Sequence, residues 1–155
     1  MNELVFLRHG HALSVREAGV TSDAERPLSP LGEREVRDAA ERLRAAGFAP
    51  DLIISSPFKR ADRTAQLAAA VFPKARRLTA AALSDGPVQA VLDLLEEADG
   101  TMLLVGHQPL LGAAAGFCLG AGPLDLSPAG FARLRRGGPS AKAELVEFYE
   151  PAEAR

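Results

Sequence analysis

Four apolar residues, Leu4-Val5-Phe6-Leu7, run straight into Arg8-His9-Gly10-His11. The run is too short for a helix and has no polar position, so neither of its faces meets water. That is the pattern of a central strand in a parallel sheet covered on both sides. A chain that opens this way must supply parallel neighbours for the strand and helices for both faces. It also delivers a cation, an imidazole and a glycine to one edge of that sheet.

The 155-residue sequence can meet those demands. Its length predicts one domain over residues 1–155 with room for a core. Hydrophobic residues make up 47% and charged residues 25%, the profile of a globular protein, and the net charge of −2 gives no basic surface for nucleic acid or membrane. No apolar stretch reaches the length of a membrane span, and no basic, apolar leader precedes the first strand. The lone cysteine, Cys118, excludes an internal disulfide and fits a cytoplasmic setting. Its apolar surroundings, Ala113 to Leu119, read as a helix carrying an inert core thiol.

Strands and helices then alternate. Residues 11–29 are polar and form a long surface excursion. Ser29-Pro30 opens a helix with a capping hydroxyl and a proline at its first position, and Gly47 closes it. Asp51 to Ser55 is the second strand, and Ser56-Pro57 repeats the helix-start signal for a helix to about Val71. Residues 76–79 form a third strand, 84–87 a turn, and Val88 to Leu95 an amphipathic helix. Thr101 to Val105 is the fourth strand, followed by a helix from Pro109. Leu124 to Leu126, Phe131 to Leu134 and Glu144 to Tyr149 read as a closing meander of strands. The fold class is α/β: a three-layer α/β/α sandwich on a mixed, mostly parallel sheet.

Ligands of open α/β sheets bind beyond the carboxyl ends of the strands. The first strand ends at Arg8-His9-Gly10, the second at Ser55-Ser56-Pro57 with Arg60 soon after, and the fourth at Gly106-His107. Parallel neighbours would gather these groups at one edge. Two guanidiniums match the oxygens of a phosphate dianion, and helix N-termini at residues 57 and 109 add positive potential. Gly10 lets the backbone come close to a ligand. An unprotonated nitrogen of His9 could attack phosphorus, and nearby cations would keep it unprotonated. Such a site needs no metal and no cofactor.

Arg8-His9-Gly10, the segment Ser55-Ser56-Pro57-Phe58-Lys59-Arg60-Ala61-Asp62-Arg63-Thr64, and Gly106-His107 together resemble the histidine phosphatase superfamily, with its phosphoglycerate mutase-like fold. Arg26-Pro27-Leu28-Ser29-Pro30-Leu31-Gly32 and Gly106-His107-Gln108-Pro109-Leu110-Leu111-Gly112 resemble its SixA branch, the bacterial phosphohistidine phosphatases. The resemblance implies that His9 is the phosphorylated nucleophile and that Arg8, Arg60 and His107 complete the phosphate pocket. It implies Arg26 near the entrance and, as candidate general acid, Asp85 ahead of Glu96 and Glu97. The partner it implies is a phosphorylated substrate, first a phosphohistidine-bearing protein and second a small phosphomonoester. His11 departs from the acidic or small residue expected there.

Three other readings compete. Asp85 beside Gly86 also suits a plain turn, and Arg26 a solvated loop charge. His9, His11 and His107 could hold zinc, although two arginines beside a cation oppose it. A pocket that binds phosphate without turning it over is the non-enzymatic alternative.

Overall fold

The computed structural model describes residues 2–151. In chain order these form β1 (Asn2–Arg8), α1 (Val15–Ala18), a 3-10 turn (Asp23–Glu25), α2 (Pro30–Ala45), β2 (Leu52–Ser55), α3 (Lys59–Val71) and β3 (Arg76–Thr79). There follow α4 (Ala82–Asp85), α5 (Val88–Glu97), β4 (Met102–Gly106), α6 (Leu110–Leu119), β5 (Phe131–Arg136) and β6 (Glu144–Tyr149).

The six strands make one sheet in the order β3-β2-β4-β1-β5-β6. β4 lies between β2 and β1 and is parallel to both, β3 is parallel to β2, and β5 and β6 add antiparallel strands beyond β1. The alternation of side chains along β1 splits the core in two. Leu4 and Phe6 face Val91, Leu92, Leu95, Leu111 and Ala114 of α5 and α6. Val5 and Leu7 face Ala39, Ala40, Leu43, Ala61 and Ala65 of α2 and α3. These are the three layers of the expected sandwich, with β1 and β4 buried along their apolar stretches.

Registers bring three strand ends level. Arg8 stands opposite Gly106, and Ser55 opposite Val105. Everything that follows β1, β2 and β4 therefore emerges at one edge. The loop after β1 stays close to that edge because its base is stitched: Ser29 N–H donates to His11 O at 2.9 Å, Leu13 N–H to Pro27 O at 3.0 Å, and Ala12 bridges Leu28. Inside it, Ser14 and Glu17 form a reciprocal capping box that makes α1, so the excursion is structured rather than plain loop.

Three expectations about elements change. The helix expected from Ser56-Pro57, α3, begins at Lys59, because the Ser56 hydroxyl is engaged elsewhere. Residues 82–85 coil into α4 instead of belonging wholly to a turn. Leu124 to Leu126 forms no strand: Leu124 N–H donates to Gly112 O, and Gln108 Nε2 donates to Leu124 O, so the start of α6 takes its backbone.

Candidate active site

His9 follows the last residue of β1 and is buried, with 8% of its surface exposed. Its Nδ1 lies 2.8 Å from Gly10 O. A carbonyl can only accept, so Nδ1 carries the proton, and the neutral ring presents a bare lone pair at Nε2. Arg60 Nε donates to that Nε2 at 3.3 Å. The ring is held far below the ordinary imidazole range, at about 3, first because it is buried and then because His107, Arg60 and Arg8 add positive potential; the bond to Gly10 O opposes this. Burial thus outranks the cations that sequence reasoning put first.

Arg60 lies in the first turn of α3, buried, with its guanidinium carbon 5.3 Å from the Phe58 ring centroid. His107 follows β4, with its ring centroid 5.0 Å from that of His9 and 5.0 Å from that of Phe58. His107 Nε2 is 2.8 Å from Ser56 Oγ, which is 2.6 Å from Ser84 Oγ and accepts from Phe58 N–H at 3.2 Å. Ser56 therefore fixes His107 instead of capping a helix. Burial, then Arg60, hold His107 down at about 4, with Asp23 and Asp85 pulling the other way. At neutral pH both imidazoles are uncharged, and the positive charge at this edge rests on arginine.

Arg8 closes β1, half-buried, and its Nη1 donates to Leu126 O at 3.0 Å. The segment expected to be a strand thus orients a cation. Gly10 is placed differently from its expected use. A Cβ there would meet Val36 Cγ2 at 2.8 Å and Gly32 O at 2.9 Å, and its N–H donates to Thr64 Oγ1. Its bareness admits α2, not a ligand.

Asp85 is exposed and lines a cleft of about 420 Å³ with Ser84, Pro87, His107, Gln108 and Leu110. Another cavity, of about 460 Å³, lies by Arg136 and Cys118, at the opposite end of the sheet from His9. Cys118 is half-buried there and its thiol is pushed up by burial, as an inert thiol would be. Glu96, exposed on α5, ends beside Arg136, far from the strand ends. Arg26 Nε donates to Leu13 O at 2.8 Å and its Nη1 to Asp23 Oδ1 at 3.0 Å, so it reaches the edge only through Asp23. His11 is exposed, with Nδ1 2.7 Å from Ser29 Oγ, the hydroxyl that caps α2. No group of three His, Cys, Asp or Glu side chains among the described residues is placed to hold a metal ion.

Asp23 is the residue that sequence reasoning missed. It lies in the 3-10 turn and bonds Arg60 twice, through its backbone O to Nη1 at 2.8 Å and through Oδ2 to Nη2 at 3.0 Å. No periodicity or spacing could single it out among the acids of a polar loop.

Comparison with known proteins bears on the family and the fold. Residues 4–85 match the model of the histidine phosphatase superfamily (branch 1). An uncharacterized protein of Picosynechococcus sp. is 36% identical over 143 residues, which is 87% of this chain and 86% of that one. The structure of the protein histidine phosphatase SixA complexed with tungstate superimposes with a TM-score of 0.83 over 96% of this chain and 97% of that one, at 24% identity. A Nakamurella multipartitia protein assigned as phosphohistidine phosphatase SixA gives a TM-score of 0.82 at 26% identity, covering 98% and 97%. With the fold, the strand-end motif and the family match in agreement, the chain belongs to the histidine phosphatase superfamily, branch 1.

Proposed function

We propose that this protein is a phosphatase that works through a phosphohistidine intermediate on His9, with the phosphohistidine of a protein as its preferred substrate. The observation that carries the reading is the orientation of His9. Gly10 O accepts a hydrogen bond from Nδ1–H and burial keeps the ring neutral, so the lone pair lies at Nε2, on the side that faces Arg60.

In the first step Nε2 attacks phosphorus and the bond from phosphorus to the leaving group breaks. Arg60 and Arg8 neutralise the transferring phosphoryl oxygens, and His107, fixed by Ser56, adds a donor. Water then attacks phosphorus: its O–P bond forms, the P–Nε2 bond breaks with the electron pair returning to Nε2, and inorganic phosphate leaves with the water's protons kept on it or passed to solvent. When the leaving group is an imidazole it departs more readily than an alkoxide, so the demand for a strong general acid is small. Asp85, exposed on the cleft beside His107, is the candidate to supply a proton to poorer leaving groups. The similarity to a SixA protein histidine phosphatase supports the substrate class.

A panel of substrates tests the proposal. Phosphohistidine in a carrier protein should be turned over with higher kcat/KM than small phosphomonoesters, in the presence of EDTA as in its absence. Preference for one monoester would replace the substrate class. Tight vanadate binding with no turnover of any substrate would leave a binding module, and loss of activity on chelation would bring back the metal reading.

A further inference from the structure

We infer that Asp23 is a positioning residue: it grips the outer edge of the Arg60 guanidinium so that the inner edge is aimed at a phosphoryl group on His9. The inference rests on the reading that an oxyanion sits between Arg60 and His9.

A guanidinium has two forked edges, one made by Nε and Nη2 and the other by Nη1 and Nη2. Five other arginines of this chain use the first edge to grip a carboxylate. Arg42 closes it on Glu147, Arg44 on Glu41, Arg63 on Glu33, and Arg133 and Arg135 on Glu3. Arg60 does the reverse. Asp23 occupies its Nη1 and Nη2, through a carbonyl at 2.8 Å and a carboxylate oxygen at 3.0 Å. Nε is turned to His9 Nε2 at 3.3 Å. The second N–H of Nη2 runs parallel to the Nε–H, so a phosphoryl group formed at Nε2 meets two aligned donors. Had Asp23 taken the Nε edge, as the other four carboxylates do, Arg60 would present its side to its own anchor and nothing to His9.

The anchor is itself anchored. Arg26 donates from Nη1 to the other carboxylate oxygen of Asp23 and from Nε to Leu13 O. The Asp23 side chain is 57% exposed and that of Arg60 is 8% exposed, so the anchor reaches from the surface to a buried guanidinium. Its carboxylate meets that guanidinium at Nη2, while Nε keeps the contact with His9. This assigns a task to the long polar loop, which carries Asp23, and to Arg26, which the sequence singled out without an evident partner.

The opposite role gives the opposite sign. If Asp23 were an internal anion competing with phosphate, removing it would tighten oxyanion binding. The test is calorimetric titration of vanadate into wild type, Asp23→Asn, Asp23→Ala and Arg26→Ala, with thermal melting to show that each variant is folded. Asp23→Ala should weaken vanadate by roughly tenfold to a hundredfold, the usual cost of losing the support of a ligand-holding group. Asp23→Asn keeps an oxygen acceptor and the backbone carbonyl, so it should lose less, and Arg26→Ala less again. The kcat/KM for a phosphorylated substrate should fall in the same order. Unchanged or tighter binding in folded Asp23→Ala overturns the inference while leaving the phosphatase reading intact. A wild type that binds no vanadate overturns both.

Discussion

His9 is set up by a neighbour one residue away. A carbonyl that belongs to Gly10 decides which nitrogen keeps the proton, and burial decides that the ring stays neutral. The consequence reaches beyond chemistry, because proton binding is linked to stability. In the unfolded chain His9 and His107 titrate near the ordinary imidazole value of 6.5, whereas in the folded protein they titrate at about 3 and about 4. Between those values the unfolded chain binds more protons than the folded one. The stability contributed by the neutral rings is fully present above about pH 6.5 and is lost progressively as pH falls toward about 4 and then about 3. Melting temperatures measured across that window should fall, and they should fall less steeply in His9→Ala, which has one fewer buried imidazole to protonate. Equal slopes would contradict the assigned state of His9. A free-enzyme activity profile should show no loss from His9 protonation until pH approaches about 3.

At the scale of elements, β1 serves two ends of the molecule. Its carboxyl end carries Arg8 and leads into His9, while Glu3 at the other end is held by Arg133 and Arg135. The Arg133 side chain is 8% exposed and that of Glu3 15%, so Glu3→Ala leaves a buried guanidinium without its counter-charge. The expected cost is about 3 kcal/mol, seen as a lower midpoint in denaturant unfolding. Because Glu3 lies about 16 Å along the strand from Arg8, kcat/KM of the folded fraction should not change. A drop in kcat/KM would mean that the register of β1 at the site depends on its far end. α2 is tied to the same strand end by backbone contact. A Cβ at Gly32 would land on His11 O, so the motif glycines on both sides of that contact serve packing.

What could be read from the sequence follows from how local the signal was. Continuous apolar runs at Leu4 to Leu7, Ile53 to Ile54 and Met102 to Val105 marked buried parallel strands, because no other element tolerates such a run between polar breaks. Leu124-Asp125-Leu126 also read as a strand, without a continuous apolar run, and became irregular, because α6 claimed its backbone partners across the fold. Ser56-Pro57 looked like a second Ser29-Pro30, yet only Ser29 caps a helix; Ser56 spends its hydroxyl on His107 and Ser84. Among the site residues, those at strand ends could be found from the strands. Asp23 depends on how the loop folds back over α3, which no local pattern encodes.

At the scale of the whole molecule, three parallel strands with level ends do the organising. β1, β4 and β2 lie side by side, two helical layers exclude water from both faces, and the polar groups that follow each strand share one edge. The central claim is that this edge exists to place a phosphoryl group on His9 Nε2. Rapid quenching of the wild-type protein during turnover of a phosphorylated substrate, followed by peptide mass spectrometry under alkaline conditions, tests it directly. The account predicts one phosphoryl group on the peptide that carries His9, attached at Nε2, formed and lost at rates consistent with turnover and absent from His9→Ala. A phosphoryl group on another residue, or full turnover by folded His9→Ala, would contradict it.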